Sequence, residues 1–71
     1  MEITAKVRFQ STRQRIESYG GSKYLIYLTV GEEDDFMSIL RVLLSKYLGV
    51  PPGRIAFLGK NYQGDFIFSI T

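Results

Sequence analysis

The 71-residue chain has no cysteine, no histidine and no tryptophan, and its only two prolines stand side by side. Without cysteine there is neither a disulfide nor a thiolate metal site. Without histidine the commonest general base and the commonest transition-metal ligand are both missing. No apolar run approaches the length of a membrane span. The opening Met1-Glu2-Ile3-Thr4-Ala5-Lys6 lacks the apolar core of a signal peptide, so a cytoplasmic protein with no membrane partner is expected. Stability must then come from an apolar core alone. A content of 45% hydrophobic and 14% aromatic residues is enough to build one over residues 1–71 as a single domain.

The most regular object in the chain is the segment from Asp34 to Pro52. Phe36, Ile39, Leu40, Leu43, Leu44, Tyr47 and Leu48 recur at helical spacing and predict one apolar helix face. Gly49 supplies the left-handed residue that ends a helix, and Pro51-Pro52 cannot continue one. Asp34 is the expected N-cap, and the acidic run Glu32-Glu33-Asp34-Asp35 suits the positive end of the helix dipole. Val42 is the one apolar residue on the otherwise polar side with Ser38, Arg41 and Ser45.

Strands surround this helix. Ile3, Ala5, Val7 and Phe9 alternate with Glu2, Thr4, Lys6 and Arg8, the pattern of a half-buried strand. A short second strand centres on Ile16, and Gly20-Gly21 predicts a tight hairpin turn. Lys23 to Val30 is apolar on both faces and reads as an interior strand. Arg54–Leu58 and Asp65–Ile70 predict a closing hairpin around Gly59-Lys60-Asn61-Tyr62-Gln63-Gly64. The expected fold is therefore α+β: a two-layer sandwich in the order β-β-β-α-β-β, with a mainly antiparallel sheet packed on one long helix.

Enzymatic residues do not assemble in this pattern. No Gly-x-Ser-x-Gly elbow is present, and Ser45-Lys46 are adjacent helical positions that point apart. The glycine loops at Gly20-Gly21 and Gly59–Gly64 join strands, whereas a phosphate-binding loop opens onto a helix. Four consecutive acids lack the spacing of a calcium loop. No catalytic residue, cofactor or metal is therefore assigned.

Two surfaces remain as candidates. One helix covers one sheet face, which leaves Leu25, Tyr27 and Ile67 on the other as an interaction surface for a protein partner or a second copy. The second candidate is a basic strip of Lys6, Arg8, Arg13, Arg15 and Lys23, with Tyr19, Tyr24 or Tyr27 available to stack on bases. Net charge is only +2, but Glu2 and Glu17 are the sole acids in the first 23 residues.

Val7-Arg8-Phe9-Gln10-Ser11 with Arg13 and Ile16, the strand Tyr24 to Val30, and Leu44-Ser45-Lys46-Tyr47-Leu48-Gly49-Val50-Pro51 with Arg54-Ile55 resemble the YggU-like family of small uncharacterised bacterial and archaeal proteins. The resemblance implies a divergent member. That family opens its helix with Gly-Lys-Ala-Asn, where this chain has Asp34-Asp35-Phe36-Met37. It carries a Ser-Gly-x-x-Ser-Arg-x-Lys loop, where this chain has Gly59 to Phe66. Only Arg8, Ser11 and Arg13 carry over, as surface contacts. The expected function is a small non-enzymatic binding or protein-interaction module, with self-association among its modes. The alternative is RNA or single-stranded DNA binding through the basic strip.

Overall fold

Alternation of Ile3, Ala5 and Val7 with Thr4, Lys6 and Arg8 builds strand β1 (Glu2–Arg8) in a computed structural model that describes all residues, Met1–Thr71. There follow β2 (Arg15–Gly20), β3 (Lys23–Tyr27), helix α1 (Phe36–Leu48), a 3₁₀ turn (Pro52–Arg54), β4 (Ile55–Lys60) and β5 (Phe66–Ile70). The five strands form one sheet in the order β2-β3-β1-β5-β4. Three pairings are antiparallel, and β1 with β3 is parallel. The architecture is the α+β arrangement expected from the sequence, with β3 interior but β1 at the centre.

The core lies between α1 and one sheet face. Ile3, Ala5, Ile26, Leu28, Leu40, Leu44 and Phe68 are wholly buried there, with Tyr24, Ile55, Phe66 and Ile70 nearly so. On the helix, Leu40 and Leu44 reach the centre, while Phe36, Ile39, Leu43 and Leu48 pack around them. Tyr47, expected on the same apolar face, is instead about half exposed and meets the core residue Tyr24 edge-on. Aromatic rings extend the core sideways: Phe36 meets both Phe9 and Phe66 edge to face, at centroid distances of 4.9 and 5.5 Å. No helix is long and apolar enough to cross a membrane.

Two local expectations need correction. The third strand ends at Tyr27 rather than Val30, because the chain leaving β1 folds across its end and takes its hydrogen bonds. Leu28 N–H donates to Arg8 C=O, and the Leu28 and Val30 carbonyls accept from Ser11 and Gln10, each at 2.9 Å. The helix is capped at Asp35, not Asp34, and neither carboxylate bonds the first-turn amides. Asp34 turns back to accept from Gly31 N–H at 2.8 Å, and Asp35 accepts from Ser38 Oγ at 3.0 Å. Glu32 reaches Lys60 at 3.8 Å. The acids therefore serve separate local bonds and do not converge.

The helix exit is as the sequence predicts. Gly49 adopts φ 72°, and the amides of Gly49 and Val50 both donate to Ser45 C=O. Ser45 Oγ is spent in this cap on Val50 C=O, which removes it from any pairing with Lys46. Truncation of the buried Phe68 to alanine is expected to cost about 3–5 kcal/mol in urea unfolding. Truncation of the exposed Val42 should stay within about 0.5 kcal/mol.

Candidate functional site

Strand parity sends Glu2, Thr4, Lys6 and Arg8 of β1, Arg15 and Glu17 of β2, Lys23, Leu25 and Tyr27 of β3, and Ile67 and Ser69 of β5 to the face away from α1. No second layer covers that face. The cross-strand registers then fix its rows. Arg15, Tyr27 and Arg8 stand side by side across β2, β3 and β1, and Glu17, Leu25 and Lys6 form the next row.

The first row ends in a cleft. Residues 9–14 step over the end of β3 to reach β2 on its far side, and Gln10 turns there with a left-handed backbone, φ 55°. That conformation is uncommon outside glycine and is held by the Gln10 N–H to Val30 C=O bond. The cleft beneath has a volume of about 540 Å³ and is lined by Gln10, Ser11, Thr12, Arg13, Arg15 and Tyr27. Arg15 lies over the Tyr27 ring, its guanidinium carbon 4.6 Å from the centroid, and is tethered by Glu17 at 2.9 Å. Arg8 and Arg13 have no carboxylate partner. Arg13 and Arg15 thus line the cleft with Tyr27, Ser11 and Thr12, and Arg8 stands beside Tyr27 on the neighbouring strand.

The five cations of the expected strip do not act as one. Arg8, Arg13 and Arg15 belong to this corner. Lys6 is engaged with the buried Asp65 at 3.3 Å. Lys23 lies at the other end of β3, about 13 Å from Tyr27 at the strand rise of roughly 3.3 Å per residue. Among the tyrosines, Tyr24 is buried in the core and Tyr19 lies at the far end of β2; Tyr27 alone lines the cleft.

Leu25, Tyr27 and Ile67 do lie on the open face, but they are half-buried and do not form one apolar patch. Lys6 and Thr4 of β1 stand between Leu25 and Ile67, and Arg8 and Arg15 flank Tyr27. The cleft itself is not legible in the sequence, because the crossing of β3 by residues 9–14 is a consequence of sheet order. Gln10, Ser11 and Thr12, a polar connection in the sequence, line it. A smaller groove of about 310 Å³ runs between α1 and Gln14, lined by Ile39, Leu43, Lys46 and the exposed Val42.

No protein-family model, no curated protein and no solved structure matches the chain.

Asp65 is set at the start of β5 by its N–H bond to Asn61 Oδ1, and its carboxylate is 7% exposed with Lys6 as its ion-pair partner. Replacement of Lys6 by methionine leaves that buried charge without a counter-ion. The expected loss is about 1–3 kcal/mol of stability at neutral pH, measured by urea unfolding. Lys6→Arg should recover most of it.

Proposed function

We propose that the protein is a non-enzymatic binding module that takes single-stranded nucleic acid at the corner formed by Arg8, Arg13, Arg15 and Tyr27. The observation that carries this reading is the Arg15–Tyr27–Arg8 row opening into a polar cleft. Guanidinium groups bind phosphate oxygens in forked geometry, and Arg8 and Arg13 are free to do so. Arg15 has a different task. Lying over the Tyr27 ring and tethered by Glu17, its guanidinium offers a surface on which a base can stack, as bases stack on arginine and aromatic planes in single-strand recognition. The cleft size lies within the usual range for small-ligand sites, so one or two nucleotides fill it.

Duplex DNA fits this corner less well, since the site is a cleft at a strand end and presents neither a helix nor a ribbon to a groove. Self-association through Leu25, Tyr27 and Ile67 has less support, because charged side chains divide those residues. The YggU-like resemblance supplies only Arg8, Ser11 and Arg13, all of which lie at or beside the corner.

The test is fluorescence anisotropy with mixed-sequence single-stranded RNA and DNA oligonucleotides. The two phosphate contacts of Arg8 and Arg13 predict a slope of about −1.4 for log K against log salt. Arg8→Glu and Arg13→Glu should each weaken binding by about tenfold or more. Tyr27→Ala should weaken it by roughly 1 kcal/mol or more through loss of the stacking platform. Lys23→Glu should leave affinity nearly unchanged at physiological ionic strength, where the Debye length of about 8 Å screens so distant a charge. Absence of saturable binding at low salt would falsify the proposal, as would equal losses for Lys23→Glu and Arg13→Glu.

A further inference from the structure

The two edges of the sheet are unlike. β2 carries Arg15 and Glu17 and a register irregularity between Ser18 and Gly20, features that keep an edge from pairing with other chains. On β4 the run Ile55-Ala56-Phe57-Leu58-Gly59 is uncharged, and Arg54 and Lys60 stand at its ends. The ladder phase shows which groups this edge offers. Thr71 N–H donates to Arg54 C=O, and Ile55 stands opposite Ile70. In an antiparallel ladder this turns both polar groups of Ala56 toward β5 and both of Phe57 outward.

The side chains here are exposed and already ordered. Phe57 and Leu58 are 39% and 56% exposed, and Tyr62 at the hairpin tip is 96% exposed. The Phe57 ring rests against Phe66 and Phe68 at centroid distances of 5.8 and 5.6 Å. Asn61 Oδ1 accepts from the amides of Gln63 and Asp65, and Gly64 N–H donates to Asn61 C=O, so the tip is internally bonded. A hairpin fixed in this way loses little freedom when a partner docks.

We infer that the β4 edge is a second recognition surface, which binds an extended peptide segment as a sixth strand. The segment is apolar where it meets Phe57 and Leu58 and acidic where it meets Arg54 and Lys60. Charge decides between this partner and a second copy of the chain. A second copy would bring its own Arg54 and Lys60 to the pairing and no acid, since residues 54–60 contain none. An acidic segment meets the same positions with the opposite sign. Arg54 has no carboxylate partner, and Lys60, which lies 5.1 Å over the Phe66 ring, has one exposed carboxylate contact, with Glu32, which an incoming carboxylate can share. The irregularity between Phe57 and Gly59 shortens the ladder available, so side-chain and charge contacts carry the selectivity.

The probe is a synthetic peptide of alternating valine and threonine with two glutamates at each end, titrated into isotope-labelled full-length protein and followed by NMR. Its control has lysines in place of the glutamates. The expected result is saturable shifts centred on Ile55 to Leu58, slowed exchange of the Phe57 amide, and no response to the lysine peptide. Leu58→Glu, at an exposed position that leaves the core intact, should weaken binding at least about tenfold. Arg54→Glu should weaken it as well. Three results overturn the inference: no saturation; shifts centred on Arg8, Arg13 and Arg15, which make the peptide a mere polyanion; or a dimer in sedimentation that Leu58→Glu dissociates, which gives the edge to a second copy. None of the three is a readout of oligonucleotide binding.

Discussion

The parallel pairing of β1 with β3 is the constraint on which the rest of this structure depends. A parallel pair requires the chain to return from one end of the sheet to the other before the second strand begins. Many folds use a helix for that return. Here residues 9–22 do it with a strand: β2 runs back antiparallel, and Gly20 and Gly21, at φ 146° and 51°, turn it into β3. Because β3 must lie next to β1, β2 is forced outside it. The connection has to cover two strand spacings, roughly 10 Å, over the end of β3. The hydrogen bonds that pin this crossing end β3 at Tyr27 and bring Arg13 and Arg15 to the same place as Arg8. The candidate site is the product of a topological necessity.

A single helix can bury only one face of a five-stranded sheet, and the fold handles the other face with long charged side chains. Leu25, Tyr27 and Ile67 are half-buried although nothing is layered over them. Their neighbours across the strands are Lys6, Glu17, Arg8, Arg15 and Thr4. Lysine and arginine lay their methylene stems along apolar surface and keep their charged ends in water. Arg15 over Tyr27 is the direct instance. The same residues therefore both cover the open face and charge it.

Local patterns in the sequence disclose elements well and neighbours poorly. The alternation of Ile3, Ala5 and Val7, the helical spacing from Phe36 to Leu48 and the Gly49 exit depend on nearby residues and were all legible. Strand order was not, since nothing between Glu2 and Arg8 encodes which of four strands will lie alongside. Tyr24 illustrates the limit. Its parity with Ile26 and Leu28 could be read from the chain, but β3 is apolar on both faces, so the sequence left open which face would meet the helix. Lys6 and Asp65 come from opposite ends of the chain, and their ion pair appears only once β5 is laid against β1. The cap failed for a different reason: Asp34 and Asp35 are adjacent acids competing for the same turn, and the Gly31 amide, unforeseeable as a donor, took the first.

Net charge is a poor guide to this molecule, and its local distribution explains why. Most acids are already committed: Asp34 to the Gly31 amide, Asp35 to Ser38, Glu32 to Lys60, Glu17 to Arg15 and Asp65 to Lys6. Those in the 32–35 segment also face the positive end of the helix dipole, which offsets part of their charge. The arginines receive no comparable compensation. Arg8 and Arg13 have no carboxylate, and Arg15 shares its charge with one exposed glutamate. An excess of +2 spread evenly over the surface would attract nothing in particular. Confined to a strand end, with Tyr27 beneath it, the same positive charge becomes a local field with a shape, and shape is what distinguishes a binding site from a basic protein.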